Sequence, residues 1–227
     1  MRQETTTRTL YQFDELSEKA KEKARDWYRE GALDYDWWEF VYDDAATIGA
    51  ILGLDMAQKP VELMNGSTRY DTEIYFSGFY HQGSGSSYGA RWDARNVQPA
   101  QALADHAPQD KELARIHATL LQLAQENPEL YATITPKDDT WINVEVTHGE
   151  TRDEVINNLD YKSAKYDREN AIDGEREEAL TEALRDFNHW IYNQLESEYE
   201  WQNADEQVDE SIRVNDYEFK GNRYRVF

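Results

Sequence analysis

The sequence predicts an α+β fold, an antiparallel sheet packed with several helices, in a single domain spanning residues 1–227. Three observations carry this expectation. Apolar side chains recur at three- and four-residue steps along four long stretches, the spacing that gathers them on one face of a helix. Between those stretches lie short aromatic-rich runs broken by glycine, serine and asparagine, the pattern of strands joined by turns. No internal repeat and no low-complexity linker separates the two kinds of pattern, so both serve one body.

In chain order, "RTLYQF" (8–13) alternates apolar and polar positions as a strand does, and "DELS" follows as a helix start. Leu16, Ala20, Ala24, Trp27 and Gly31 then form one stripe, with Lys19, Lys21, Glu22 and Arg25 facing water. "DYDWWEF" opens a second helix: Asp36 and Glu39 have capping-box spacing, and Trp37, Val41, Ala45, Ile48 and Leu52 carry the stripe to Gly53. These two helices are expected to form a hairpin. Strands are expected near 54–59, 69–79 and 87–93, and a helix returns through Leu113, Ile116, Leu120 and Ala124 until Pro128 stops it. "LYATITPKDDTWINVEV" reads as two strands around a Lys-Asp-Asp turn. After a polar, loop-like stretch near 149–172, Leu180, Leu184, Phe187, Ile191 and Leu195 mark the longest helix, with Trp190 widening its apolar face. A short helix near 205–214 and a hairpin around Gly221 and Asn222 finish the chain.

Charge and composition narrow the function classes. With 46 acidic against 24 basic side chains the formal net charge is -22, which repels nucleic acid and anionic lipid, so neither is expected as a direct partner. The acid is not that of a disordered tail: 39% of residues are hydrophobic, and 7 Trp, 7 Phe and 15 Tyr are spread along the chain. Absence of cysteine removes disulfides, thiolate metal sites and cysteine nucleophiles. The N-terminal "MRQETTTRTLYQF" has no apolar h-region, and no window approaches the roughly 18 apolar residues of a membrane span, so the protein is expected to stay where it is made.

Four stretches invite a functional reading. "SGFYHQGSGSSYGARW" (77–92) is rich in glycine and serine, but no Gly-Lys-Ser or Gly-Lys-Thr opens onto a helix as a phosphate loop requires. His81 and Ser84 lack the orienting group and oxyanion hole of a nucleophile site, so a β-hairpin with a loop open to contact is the expectation. Asp36, Glu39 and Asp43 share a helix face and offer oxygen ligands to Mg²⁺ or Mn²⁺, yet no histidine stands at a matching step, and no metal or other cofactor is predicted. His117, His148 and His189 have no partners identifiable in sequence. The strongest signal lies between Glu196 and Glu218, where nine acids and one base give a net charge of -8 with Tyr199, Trp201 and Tyr217 interleaved. Carboxylates in rows on rigid helices present charge to a basic groove as a duplex presents phosphates, and counterion release makes such binding salt-sensitive.

The blocks "YQFDELSEKAKEKARDWYRE", "DYDWWEFVYDDA", "IYFSGFYHQGSGSSYGARW" and "FNHWIYNQLESEYEW...DESIRVNDYEF" resemble a family of small acidic accessory proteins encoded by tailed bacteriophages, often labelled hypothetical or antitoxin of a toxin-antitoxin system. The resemblance covers both ends and the central hairpin, about half the chain, and leaves out residues 95–150. It implies expression in the cytoplasm of an infected bacterium and a non-enzymatic role, and it supplies no catalytic residues. Together with the charge, it leads to the expectation of a protein that binds and inhibits a basic, nucleic-acid-handling host defence factor of restriction or CRISPR type by DNA mimicry. The expected contact surface comprises Glu196, Glu198, Glu200, Glu206, Asp209 and Glu210, with Asp34, Asp36, Asp43 and Asp44 as a second patch. Trp38, Tyr80 and Trp201 would supply the desolvated anchors that charge alone does not. The alternatives are an antitoxin covering one cognate toxin and a carboxylate-metal enzyme acting on nucleotides or nucleic acid.

Overall fold

The computed structural model describes residues 9–31, 33, 35–147, 174–220 and 223–225. The fold is α+β, and its internal contacts divide the chain into two compact units, Met1–Glu39 with Glu196–Phe227, and Phe40–Leu195. The stretch read as a loop near 149–172 and the turn at Gly221 and Asn222 lie outside the described residues.

In the second unit, three stretches of chain each break into two strands. Residues 54–62 form β2 (Leu54–Met56) and β3 (Gln58–Glu62), residues 68–76 form β4 (Thr68–Thr72) and β5 (Ile74–Phe76), and residues 86–93 form β6 (Ser86–Tyr88) and β7 (Ala90–Asp93). β2 pairs with β7, β3 with β4 and β5 with β6, all antiparallel. Each stretch changes partner at one residue. There the Ala57 N–H donates to Gly89 O at 2.8 Å, the Gly89 N–H to Glu73 O at 2.9 Å and the Glu73 N–H to Ala57 O at 2.7 Å. This closed ring of three bonds satisfies backbone groups that the breaks would otherwise orphan. The Glu73 side chain also lies over Gly89, where a Cβ would meet its carboxylate.

β7 continues the sheet to β8 (Tyr131–Asp138), which pairs with β9 (Trp141–Thr147) in the order β2-β7-β8-β9. The turn between β8 and β9 falls where the Lys-Asp-Asp motif places it, and the Asp138 carboxylate accepts the Thr140 N–H and hydroxyl at 2.9 and 2.8 Å. Four helices serve this unit: α2 (Glu39–Ile51), α3 (Ala100–His106), α4 (Lys111–Glu126) and α5 (Gly174–Asn203). α2 starts later than the Asp36–Glu39 spacing predicts, after a turn in which the Glu39 N–H bonds Asp36 O. It ends as predicted at Gly53, whose φ of +89° is a conformation that costs glycine little. α5 contributes as far as Leu195 to this unit and from Glu196 to the other.

The apolar stripe Leu180, Leu184, Phe187, Ile191 and Leu195 of α5 is fully buried, as its spacing predicts. Polar bonds fix β6 to the same helix. The Tyr88 hydroxyl donates to Leu184 O at 3.1 Å, the Ser86 hydroxyl to Asn188 O at 2.9 Å and the Asn188 amide to Ser86 O at 2.7 Å. Each contributes about 1 kcal/mol net, and their greater effect is to set register, because any slip leaves buried polar atoms unpaired.

The first unit has its own core. β1 (Tyr11–Gln12), β10 (Glu218–Lys220) and β11 (Arg223–Arg225) form an antiparallel sheet in the order β1-β10-β11. α1 (Glu18–Arg29) buries Ala20 and Ala24, and its stripe meets Val208 and Ile212 of α6 (Asp205–Val214), together with Phe13, Leu16 and Phe219. This corrects the predicted helical hairpin. The stripe of α1 is covered by a helix from the far end of the sequence, whereas α2 belongs, except for Glu39, to the other unit.

Candidate partner-binding surface

The acids of the C-terminal tract have different fates. Asp209 faces α1, where Arg25 donates to its two oxygens at 2.6 and 2.7 Å. These hydrogen bonds, reinforced by the guanidinium charge, hold the Asp209 carboxyl below the usual carboxylate range, and the same contact raises the Arg25 pKa. Asp205 pairs with Arg29 at 2.5 Å and with Arg25 at 3.6 Å, while Glu210 stands 3.8 Å from Arg213, which also binds Asp14 at 3.0 Å. The charge of Asp209 is therefore offset inside the unit, and its role is to join two helices. Glu196 and Glu206 make no ion pair among the described residues, and Glu200 is exposed.

Glu198 occupies a particular setting. It is half-buried, its Oε1 accepts the Gln202 amide at 2.7 Å, and it makes no ion pair among the described residues. Trp201 follows three residues later on the same helix face and is 53% exposed. Tyr35, also 53% exposed, lies close enough to feel the Glu198 charge: desolvation, then Tyr28 and Glu198, push its phenol pKa up. Tyr35 is held by a loop whose next aromatic, Trp37, is buried 6.0 Å from the ring of Tyr199 and edge-on to half-buried Trp38 at 5.6 Å. Glu198 and Trp201 thus share one face of α5, and half-exposed Tyr35 lies within range of the carboxylate's charge. Tyr35 is the member that sequence reasoning misses, because an exposed tyrosine and a core tyrosine look alike in sequence.

Asp36 is exposed in the same loop, and Asp34 lies outside the described residues. Asp43 and Asp44 are on α2 in the other unit, where Asp44 Oδ1 meets His106 Nε2 at 2.8 Å. Tyr80, 63% exposed with a φ of +63°, sits in the loop of the β5–β6 hairpin, so the glycine-serine stretch is the hairpin that its pattern predicts. In that loop the Ser84 hydroxyl accepts the backbone N–H of His81 at 3.1 Å, which gives the serine a turn-closing role.

Other polar groups of the second unit are tied into the fold. An apolar groove of about 410 Å³ lies between α3 and α4, walled by Ala100, Ala104, Ala114, Ala118 and Leu121. Two of its polar members are engaged elsewhere: Asp110 caps α4 and accepts the Trp190 indole N–H at 2.8 Å, and His117 Nε2 meets Gln98 O at 2.8 Å. Lys59 donates to Ile74 O at 2.7 Å and stands 4.1 Å from the centre of the Tyr75 ring. Desolvation lowers its pKa although Asp71, Glu73 and Asp139 oppose the shift. Among the described residues no group of three or more His, Asp or Glu is placed to hold a metal ion, and no helix is long and apolar enough to cross a membrane.

No curated protein and no solved structure matches the chain. A family does match, over residues 37–205, a range that contains the whole second unit. That match spans most of the 227 residues, and the chain belongs to the family described as Domain of unknown function (DUF8835).

Proposed function

We propose that this protein is a bacteriophage accessory protein that binds and inhibits a basic, nucleic-acid-handling defence factor in the cytoplasm of a bacterial host. It offers carboxylates where a nucleic acid offers phosphates. The observation that carries this reading is the face of α5 in the first unit, where half-buried Glu198, with no ion pair among the described residues, precedes half-exposed Trp201 by three residues in a chain of net charge -22. Charge of that size speeds encounter with a basic surface, and the exposed ring provides apolar area that holds the complex once formed.

The test is capture from an extract of the bacterial host on the immobilised full chain, with elution in steps of increasing salt. The expected result is a basic nuclease or defence subunit, released by salt, displaced by added DNA and retained less by a Glu196→Gln, Glu198→Gln, Glu200→Gln variant of unchanged thermal midpoint. Retention of one small toxin that DNA does not displace replaces the reading with that of an antitoxin. Absence of any salt-released protein overturns both.

A further inference from the structure

The groove between α3 and α4 departs from the rest of the chain in charge. Charged side chains make up 31% of the sequence, yet Asp110 is the one charged residue in the lining, and its carboxylate is spent on the Leu113 N–H and the Trp190 indole. Ala100, Ala104, Ala114 and Ala118 are exposed along the walls, where longer side chains would have closed the opening. Such a lining favours an uncharged occupant.

The dimensions describe that occupant further. The lining follows α4 from Asp110 to Gln125, about 22 Å at 1.5 Å per residue. A volume of about 410 Å³ spread over that length makes a trough about 5 Å wide, whereas a helix is about 10 Å across. It holds about fourteen groups of methylene size, each taking roughly the 30 Å³ of a water. An unbranched chain fits there and a helix does not.

One polar atom opens onto the trough. His117, near the middle of the lining, is 2% exposed, and its Nε2 donates to Gln98 O at 2.8 Å, which leaves Nδ1 as the acceptor of the neutral ring. Nδ1 makes no hydrogen bond among the described residues, yet it is not one of the buried atoms that lack a partner, as Ser87 Oγ is. Solvent therefore reaches Nδ1, and the trough is where this buried ring meets solvent.

We infer that the groove binds a neutral N-acyl amide: an unbranched chain of about fourteen heavy atoms whose amide N–H, near the middle, donates to His117 Nδ1 while its carbonyl oxygen stays on the open side. The site belongs to the second unit and does not rest on the proposed function.

Calorimetry on the full-length protein tests this with N-hexyl hexanamide and with hexyl hexanoate, in which an oxygen replaces the N–H. The amide is expected to bind about fivefold more tightly, the ratio that one hydrogen bond sets. N-butyl butanamide, shorter by four methylenes, is expected to bind roughly tenfold less tightly than the hexyl amide, each methylene counting for about half of its full transfer because one side of the trough is open. Ala118→Leu fills part of the trough from an exposed position, so it weakens the hexyl amide by about fivefold or more at an unchanged thermal midpoint. Thr119→Leu, on the same helix outside the lining, leaves that affinity alone. His117→Phe removes the acceptor and with it the preference for amide over ester, and the dependence on chain length stays.

Equal binding of amide and ester by the parent, no binding of the amide, or equal effects of Ala118→Leu and Thr119→Leu overturns the inference, and these outcomes decide it even if His117→Phe does not fold. If Ala118→Leu loses the protein captured from host extract while the amide does not bind, the groove is a protein contact and the ligand site falls.

Discussion

The guanidinium of Arg25 grips the carboxylate of Asp209 through two parallel hydrogen bonds, Nε to Oδ1 at 2.6 Å and Nη2 to Oδ2 at 2.7 Å, joining α1 to α6 across 184 residues of sequence. Both side chains are largely buried, 15% and 14% exposed, so removing one leaves the other charged in a site built for two. Asp209→Asn and Arg25→Met are each expected to lower stability by about 2 kcal/mol, and the double variant by less than the sum. Urea unfolding followed by tryptophan fluorescence checks both amounts. Additive losses would show that the two residues act separately.

The same pair gives the first unit an acid limit. Asp209 has a depressed carboxyl pKa in the folded protein, so on acidification the unfolded chain takes up its proton first. The stabilisation is therefore complete above the unfolded value of about 3.9 and is lost as the pH falls through the folded one. The difference in Tm between the parent and Asp209→Asn should be constant near neutrality and shrink below about pH 4. A difference that persists undiminished at the acid end contradicts the assignment.

Two glycines differ in what an added methyl would meet. At Gly53 a Cβ would come within 3.0 Å of the Val97 backbone nitrogen and 3.1 Å of Asp93 O, at a φ of +89°. At Gly89 the nearest obstacle is the end of the flexible Glu73 side chain. Backbone cannot step aside and a carboxylate can. Gly53→Ala should cost about 3 kcal/mol, combining αL strain with the clash, and Gly89→Ala about 1 kcal/mol. Adding Glu73→Ala should recover part of the second loss and none of the first, as denaturation midpoints would show.

How much of this was legible follows from how local each signal is. α4 is read closely because its apolar stripe, Leu113, Ile116, Leu120 and Ala124, lies within a few turns of chain. α3 was missed because only Leu103 of its seven residues is buried, so it has no stripe to detect. The partner-exchange ring at Ala57, Glu73 and Gly89 is a long-range arrangement that no window of sequence contains. The division into two units leaves no linker to read, because a continuous helix, α5, contributes to both. In the acidic tract the sequence shows charge but not its fate: Asp209 and Glu206 look equivalent, yet one meets Arg25 and the other makes no ion pair among the described residues.

Tyr88 is fully buried, and its hydroxyl donates to Leu184 O, a carbonyl inside α5. Phenylalanine would fill almost the same volume, so Tyr88→Phe tests the hydrogen bond with little change in packing. The carbonyl it leaves keeps its helical partner, which limits the loss to about 1 kcal/mol. Asn188→Ala also leaves a cavity and strips the Ser86 carbonyl of a donor, so about 2 kcal/mol is expected. Equal losses for the two variants, measured by chemical denaturation, would mean that the donor to Ser86 is dispensable.

Lys59 gives the second unit a response at the opposite end of the pH scale. Desolvation lowers its pKa in the folded protein, so on raising the pH the folded chain loses that proton before the unfolded chain does. The cost of burying the ammonium is full below the folded pKa and is relieved as the pH rises through it toward the unfolded value of about 10.4. Tyr42 and Tyr75 act against this near pH 10, because burial raises both phenol pKa values and stability falls once the unfolded chain begins to lose those protons. These tyrosines are common to the parent and a Lys59 variant and cancel in their comparison, so the Lys59 window closes at the unfolded lysine value of about 10.4. Within it, the parent should gain Tm with rising pH relative to Lys59→Met, which has a similar stem and no charge. The methionine loses the bond to Ile74 O and the contact with the Tyr75 ring, so its neutral-pH stability should lie within about 1 kcal/mol of the parent. If the two midpoints run parallel up to pH 10, Lys59 keeps an ordinary pKa and its desolvation is too small to matter.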